Sequence, residues 1–145
     1  MLHAGLDLSR ARLDVCLVDD AGELVAHTAA PPDADGLRHL ADRLAGHRVR
    51  GVIESMTGAR FVHDTLEEFG WEVLVADAQK VKGLAPLACK TDKIDARVLA
   101  ELSWRDLVPA IWLPTRRFAA SASSPATGCT WSATARRSRT ASARR

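Results

Sequence analysis

The chain has 145 residues, 47% of them hydrophobic, which is enough for one compact core and too few for two ordinary domains. No run approaches the roughly 18 to 20 apolar residues of a membrane span, and residues 1–10 lack the charged-then-apolar layout of a signal peptide, so a cytoplasmic protein with no membrane partner is expected. The net charge of +2 hides two unlike parts: residues 1–114 hold 13 Lys and Arg against all 18 Asp and Glu, a net −5, while residues 115–145 hold seven Arg, no acid and no Val, Leu, Ile or Met.

A stretch without aliphatic side chains beyond Ala cannot build a core, so residues 1–114 are expected to fold and residues 115–145 to form a disordered Ala/Ser/Thr/Arg tail. The three cysteines, Cys16, Cys89 and Cys129, share no metal-ligand spacing and are read as reduced and structural.

In chain order, Gly5-Leu6-Asp7-Leu8 closes a first strand, and the alternation about Leu13, Val15 and Leu17 predicts a second. Asp19-Asp20-Ala21-Gly22 is a turn signal, and residues 23–27 read as a third strand completing an antiparallel meander that Pro31 and Pro32 stop. Leu37, Leu40, Ala41 and Leu44 recur at helical spacing, with Asp33 and Asp35 placed for the helix N-terminus. Residues 49–54 predict a fourth strand ending in Glu54, Thr57-Gly58 leads into a helix with Phe61, Val62 and Leu66, and residues 71–76 predict a fifth strand. Residues 91–103 are strongly helical in pattern, after which Pro109 and Pro114 end regular structure. The order βββαβαβ followed by helices is that of an α/β mixed sheet covered by helices, as in the ribonuclease H-like (RuvC-like) fold.

Four carboxylates stand out. Asp7 and Glu54 each sit at the carboxyl end of a strand, where open α/β sheets form their sites; either alone reads as a turn or helix cap, but together they point to one crevice. Ile94, Val98, Leu99 and Leu102 define an apolar stripe that includes Asp95, and a carboxylate on such a face calls for a cation. Asp92 lies one turn earlier, at the spacing from which two acids address one ion. Four oxygen donors with no His or Cys suit Mg²⁺ or Mn²⁺, and two such ions roughly 3.5 to 4 Å apart serve in-line phosphoryl transfer.

Gly5-Leu6-Asp7-Leu8-Ser9, Ile53-Glu54-Ser55-Met56-Thr57-Gly58 and above all Lys90-Thr91-Asp92-Lys93-Ile94-Asp95-Ala96 resemble the DEDD-motif transposases of insertion sequences, the IS110 family that includes the pilin-gene invertases. The resemblance covers residues 1 to about 114, the amino-terminal RuvC-like domain of that family. It implies that Asp7, Glu54, Asp92 and Asp95 are the catalytic, metal-holding quartet, acting with Mg²⁺ or Mn²⁺ on DNA strands during excision and insertion. Asp-Ala-Gln-Lys-Val-Lys at 77–82 also resembles the family. Lys80, Lys82, Lys90 and Lys93 are the candidate contacts to nucleic-acid phosphate, although solvated helix charges look the same in sequence.

Family members continue through a basic helical linker into a second domain with a catalytic serine, form homo-oligomers, and are thought to use a guide RNA from the element. Nothing in residues 115–145 matches that second domain. Its composition is what a GC-rich gene yields out of frame, so the expectation is a truncated, inactive fragment with an out-of-frame remnant of the linker; a native basic arm binding DNA nonspecifically is the alternative. A RuvC-like resolvase or nuclease would share the metal chemistry. An actin-like sugar kinase also opens on a Gly-x-Asp strand, but usually has glycine where this chain has Ser9 and has no role for a Thr-Asp-x-x-Asp helix.

Overall fold

The computed structural model describes residues 1–88 and 95–114. Five strands, β1 (Leu2–Leu8), β2 (Leu13–Val18), β3 (Leu24–Ala30), β4 (Val49–Glu54) and β5 (Glu72–Ala76), form one mixed sheet in the spatial order β3-β2-β1-β4-β5. The meander β1-β2-β3 is antiparallel, and β1, β4 and β5 run parallel. The helices are α1 (Ala34–Arg43), α2 (Ala59–Glu68), α3 (Ala78–Ala88) and α4 (Ala96–Trp104). This is the α/β architecture, with the element order βββαβαβ and then helices, that the sequence predicts.

Local chemistry explains each start and stop. Asp19 closes the β2–β3 turn, its side chain accepting from the amides of Ala21 at 2.8 Å and Glu23 at 3.0 Å. Asp33 caps α1 by accepting from the Gly36 amide at 2.7 Å. The α2 entry is made by Gly58, whose φ of 91° suits a residue without a Cβ.

Period-two alternation sorts the strand side chains onto two faces. Leu6, Leu8, Leu13, Val15 and Ile53 point to one side and form the larger core with Leu37 and Leu40 of α1 and Val62 and Leu66 of α2. On the other side Val52 and Ala76 pack against Val81 of α3 and Val98, Leu99 and Leu102 of α4, while Cys16 and Val18 meet Ala96 and Ala100. Cys16 is fully buried.

Three details differ from expectation. β3 extends to Ala30, because residues 28–30 still pair with β2. α3 is an element that the pattern of residues 78–88 does not predict, because Gly83 and Pro86, both poor helix formers, obscure it. Pro109 does not end backbone pairing: Ile111 donates to the Val75 carbonyl at 2.8 Å and Asp77 to the Pro109 carbonyl at 2.9 Å, so residues 109–111 run beside the outer edge of β5. That covers an otherwise open sheet edge. Residues 115–145, the expected disordered tail, lie outside the described residues.

Candidate functional site

The sheet face under α3 and α4 changes character in three rows. His3, Val18 and Arg50 occupy one end, Gly5, Cys16 and Val52 the middle, and Asp14, Asp7 and Glu54 the end where β1 and β4 finish. Asp7 lies directly opposite Asp14 in the antiparallel pair. It is also one step beyond the parallel Leu6–Ile53 pair, and so beside Glu54. The two strand-end acids identified in the sequence are therefore neighbours on adjacent parallel strands.

Their electrostatics agree with that placement. Burial holds the Glu54 carboxyl above the usual range, the Lys82 ammonium opposes the rise, and the charge of Asp7 adds to it. Lys82 thus faces the carboxylates from α3. Lys80 is exposed and stays near Asp77, 4.0 Å away.

α4 crosses this face antiparallel to β1 and is pinned at its carboxyl end. His3 Nδ1 and Ser103 Oγ are 3.0 Å apart and buried, Trp104 Nε1 donates to the Asp20 carbonyl at 3.0 Å, and Arg50 reaches Asp106 at 2.8 Å just past the helix. In the middle of the crossing the backbone of Ala96 and Ala100 sits directly on Gly5, with no room for a Cβ. The helix start therefore points toward the end of the sheet that carries Asp7 and Glu54.

Asp95 occupies that start, though not in the way its spacing implies. It is not a carboxylate stranded on the apolar stripe: α4 begins at Ala96, and Asp95 is its N-cap, accepting through Oδ1 from the amides of Arg97 at 3.0 Å and Val98 at 3.1 Å. An Asp at the head of a helix finds partners in unpaired backbone amides, which the stripe argument overlooked. Val98, Leu99 and Leu102 of the stripe are buried as expected. Asp92, Lys90, Lys93 and Ile94 lie outside the described residues.

Among the described residues, no three His, Cys, Asp or Glu side chains are gathered closely enough to hold a metal ion. Asp14 is the acid that sequence reasoning passed over, as one more polar position in an alternating strand. Only strand register sets it beside Asp7. Arg12 is already paired with it at 2.7 Å.

Asp7 and Glu54 end parallel strands of a mixed sheet, on the face crossed by the helix that Asp95 caps; this is the plan of a ribonuclease H-like domain with an acidic strand edge. The chain matches the DEDD-type IS110 family, described as Transposase, over residues 4–119, and it belongs to that family. Transposases act on DNA, which sets the class of its partner. No curated protein matches the chain, and among the described residues no helix is long and apolar enough to cross a membrane.

Proposed function

We propose that this domain carries out divalent-metal-dependent cleavage and transfer of DNA strands in transposition, with Asp7, Glu54, Asp92 and Asp95 as the acidic quartet. The observation that carries the reading is the juxtaposition of Asp7 and Glu54 at the ends of adjacent parallel strands, close enough for the charge of one to raise the proton affinity of the other. Two half-buried carboxylates that repel each other are stabilised by a cation, and an all-oxygen donor set suits Mg²⁺ or Mn²⁺ better than zinc. When bound, such ions stabilise the attacking and leaving oxygens of a phosphodiester.

The chain's own residues do the rest. Asp7 and Glu54 fix the donor atoms to the rigid sheet. Asp95 keeps Oδ2 for the site while Oδ1 holds the helix. Lys82 offsets carboxylate charge before substrate arrives and meets strand phosphate afterwards, with Lys80, Lys90 and Lys93 adding sequence-independent attraction. A structured guide RNA and self-association, both implied by the family, complete the proposal. The composition of residues 115–145 supports the reading that they are translated out of frame.

The test compares Mg²⁺- or Mn²⁺-dependent cleavage and strand exchange on labelled DNA by this chain, by a frame-restored protein, and by Asp7→Asn and Asp95→Ala variants of the restored protein. Expected are activity in the restored protein and a loss in each variant larger than the roughly 10- to 100-fold typical of outer-shell changes. Undiminished activity in Asp7→Asn would overturn the carboxylate assignment. Equal activity in the short and restored chains would overturn the out-of-frame reading.

A further inference from the structure

Just past the carboxylates, the loops that continue from β1 and β4 enclose a cleft of about 530 Å³ on the opposite side of the strand ends. Its lining combines the buried Leu8 and Val62 with Pro32, the half-exposed Met56 and Phe61, and the exposed Arg10. The volume is in the range of small-ligand pockets. Leu8 is the residue after Asp7 and Met56 the second after Glu54, and one strand residue advances about 3.3 Å. Successive strand side chains point to opposite faces, so the cleft and the carboxylates lie on the two sides of the same strand ends, and a DNA strand serving both would cross those ends.

Two features of this cleft are unexplained by folding. Met56 and Phe61 are 47% and 48% exposed, although the core next to them buries Leu8 and Val62 almost completely. Arg10 is exposed and forms no ion pair among the described residues, whereas the nearby Arg12 is held by Asp14. An aromatic face, a polarizable thioether and an uncommitted guanidinium around one opening match the parts of a nucleotide: a π-face for stacking and an anion beside it. A phosphate alone would be poorly served by so apolar a lining. The Thr57 hydroxyl in the same lining offers a hydrogen bond to a base edge, while that of Ser9 donates to the Arg12 carbonyl at 2.8 Å.

We propose that this cleft receives an unstacked nucleobase of the DNA strand processed at the carboxylates, with the base on Phe61 against Met56 and Arg10 on the adjoining phosphate. The inference rests on the reading of Asp7 and Glu54 as the strand-cleaving acids. Taking one base out of the stack would bend the backbone over the strand ends and present the neighbouring phosphodiester to the acidic face.

The experiment uses the full chain, Ca²⁺ in place of Mg²⁺, and a single-stranded oligodeoxynucleotide of roughly 12 nucleotides carrying one 5-iodouracil. Affinity is read by fluorescence anisotropy, and photocrosslinks are mapped by mass spectrometry. Crosslinks are expected at Met56 or Phe61. Phe61→Ala should weaken binding roughly 5- to 150-fold, as removal of a stacking platform does, and Phe61→Trp should restore it. Arg10→Ala should lower the slope of log affinity against log salt by about one phosphate contact. Because Phe61 is half-exposed, its urea midpoint should hold, which separates loss of binding from loss of fold. If Phe61→Ala binds as tightly as the parent, or crosslinks map away from the cleft, the cleft proposal fails while the carboxylate reading stands. If neither the parent chain nor the frame-restored protein binds the oligonucleotide, both fail.

Discussion

Gly5→Ala is expected to be among the most damaging single-methyl additions to this domain. A Cβ at Gly5 would point into α4, where it would collide with the Ala96 carbonyl oxygen and lie 2.5 Å from the Ala100 amide nitrogen and 2.8 Å from the Ala96 carbonyl carbon. All three are backbone atoms, so no rotamer change relieves the clash. Restoring an ordinary separation of roughly 3.5 Å from the Ala96 oxygen moves α4 about 2 Å off β1, and a gap of only about 1 Å already forfeits up to half of each dispersion contact it opens. The affected contacts include those of Val98, Leu99, Ala100 and Leu102, all buried. Overpacking costs about 1 to 3 kcal/mol where side chains give way; with backbone on both sides the expected cost is about 3 kcal/mol or more. That corresponds to a fall in Tm on the order of 10 °C. Urea unfolding followed through the buried Trp71 measures it. The control is Gly51→Ala on the neighbouring strand, facing the other layer, where a Cβ would meet only side-chain atoms at 3.5 Å; its midpoint should stay within about 0.5 kcal/mol of the parent. A Gly5→Ala loss below about 1 kcal/mol, or equal losses at both positions, would refute the account of how α4 is seated.

Glu54→Gln should stabilise the metal-free domain at pH 7 by roughly 0.5 kcal/mol, because a carboxyl with a raised folded pKa loses stability as pH rises above its unfolded value, and partial solvation keeps the effect small. Mn²⁺ binding followed by electron paramagnetic resonance should weaken in the same variant, and a destabilised variant would argue that Glu54 is a structural cap. The pKa of His3 is lowered by burial, only partly opposed by Asp20, so its contribution is complete above about pH 6.5 and is lost as pH falls toward the lowered value. Urea midpoints for His3→Gln should therefore lack part of the parent's decline between pH 7.5 and 5.5, a difference of at most about 1.4 kcal/mol per pH unit; parallel curves would show that His3 does not set it. Asp95→Asn, which retains an oxygen acceptor for the cap, should leave stability nearly unchanged, while Asp95→Ala should cost about 1 kcal/mol. Both should lose Mn²⁺ affinity in calorimetric titration, and an Asn variant that binds normally would limit Asp95 to capping.

What the sequence made legible follows from short-range physics. Short apolar runs placed β1 and β4 and alternation placed β2, turn chemistry at Asp19 and the Asp33 cap placed the ends between them, and Asp7 and Glu54 stood out because each lies at the end of an apolar strand. What stayed hidden depends on register or on backbone. Asp14 joins the acidic row only through pairing across the sheet, Gly5 reads as an ordinary strand glycine until α4 is laid on it, and the amides that hold Asp95 belong to no side chain. The cleft at Phe61 escaped for the same reason, since its lining comes from three separate stretches of chain. Phe61 itself was legible only as a helix position, because periodicity cannot tell an exposed aromatic from a buried one near the stripe edge.

The three rows beneath α4 give this separation a mechanical sense. Polar pairs at His3 and Arg50 fix the carboxyl end of the helix, close backbone contact of Ala96 and Ala100 with Gly5 fixes its first turn, and the acids lie just beyond that turn. A helix clamped at two points along a rigid sheet has its third point determined, so the placement of Asp95 is set by packing at Gly5 and Ser103. Substitutions at Gly5 or Ser103 should then appear in the chemistry as well as in stability, through displacement of the Asp95 carboxylate relative to Asp7 and Glu54. Asp7 and Glu54 can remain a half-buried pair of acids because the packing that holds α4 is done elsewhere, in the apolar rows around Val52 and Cys16.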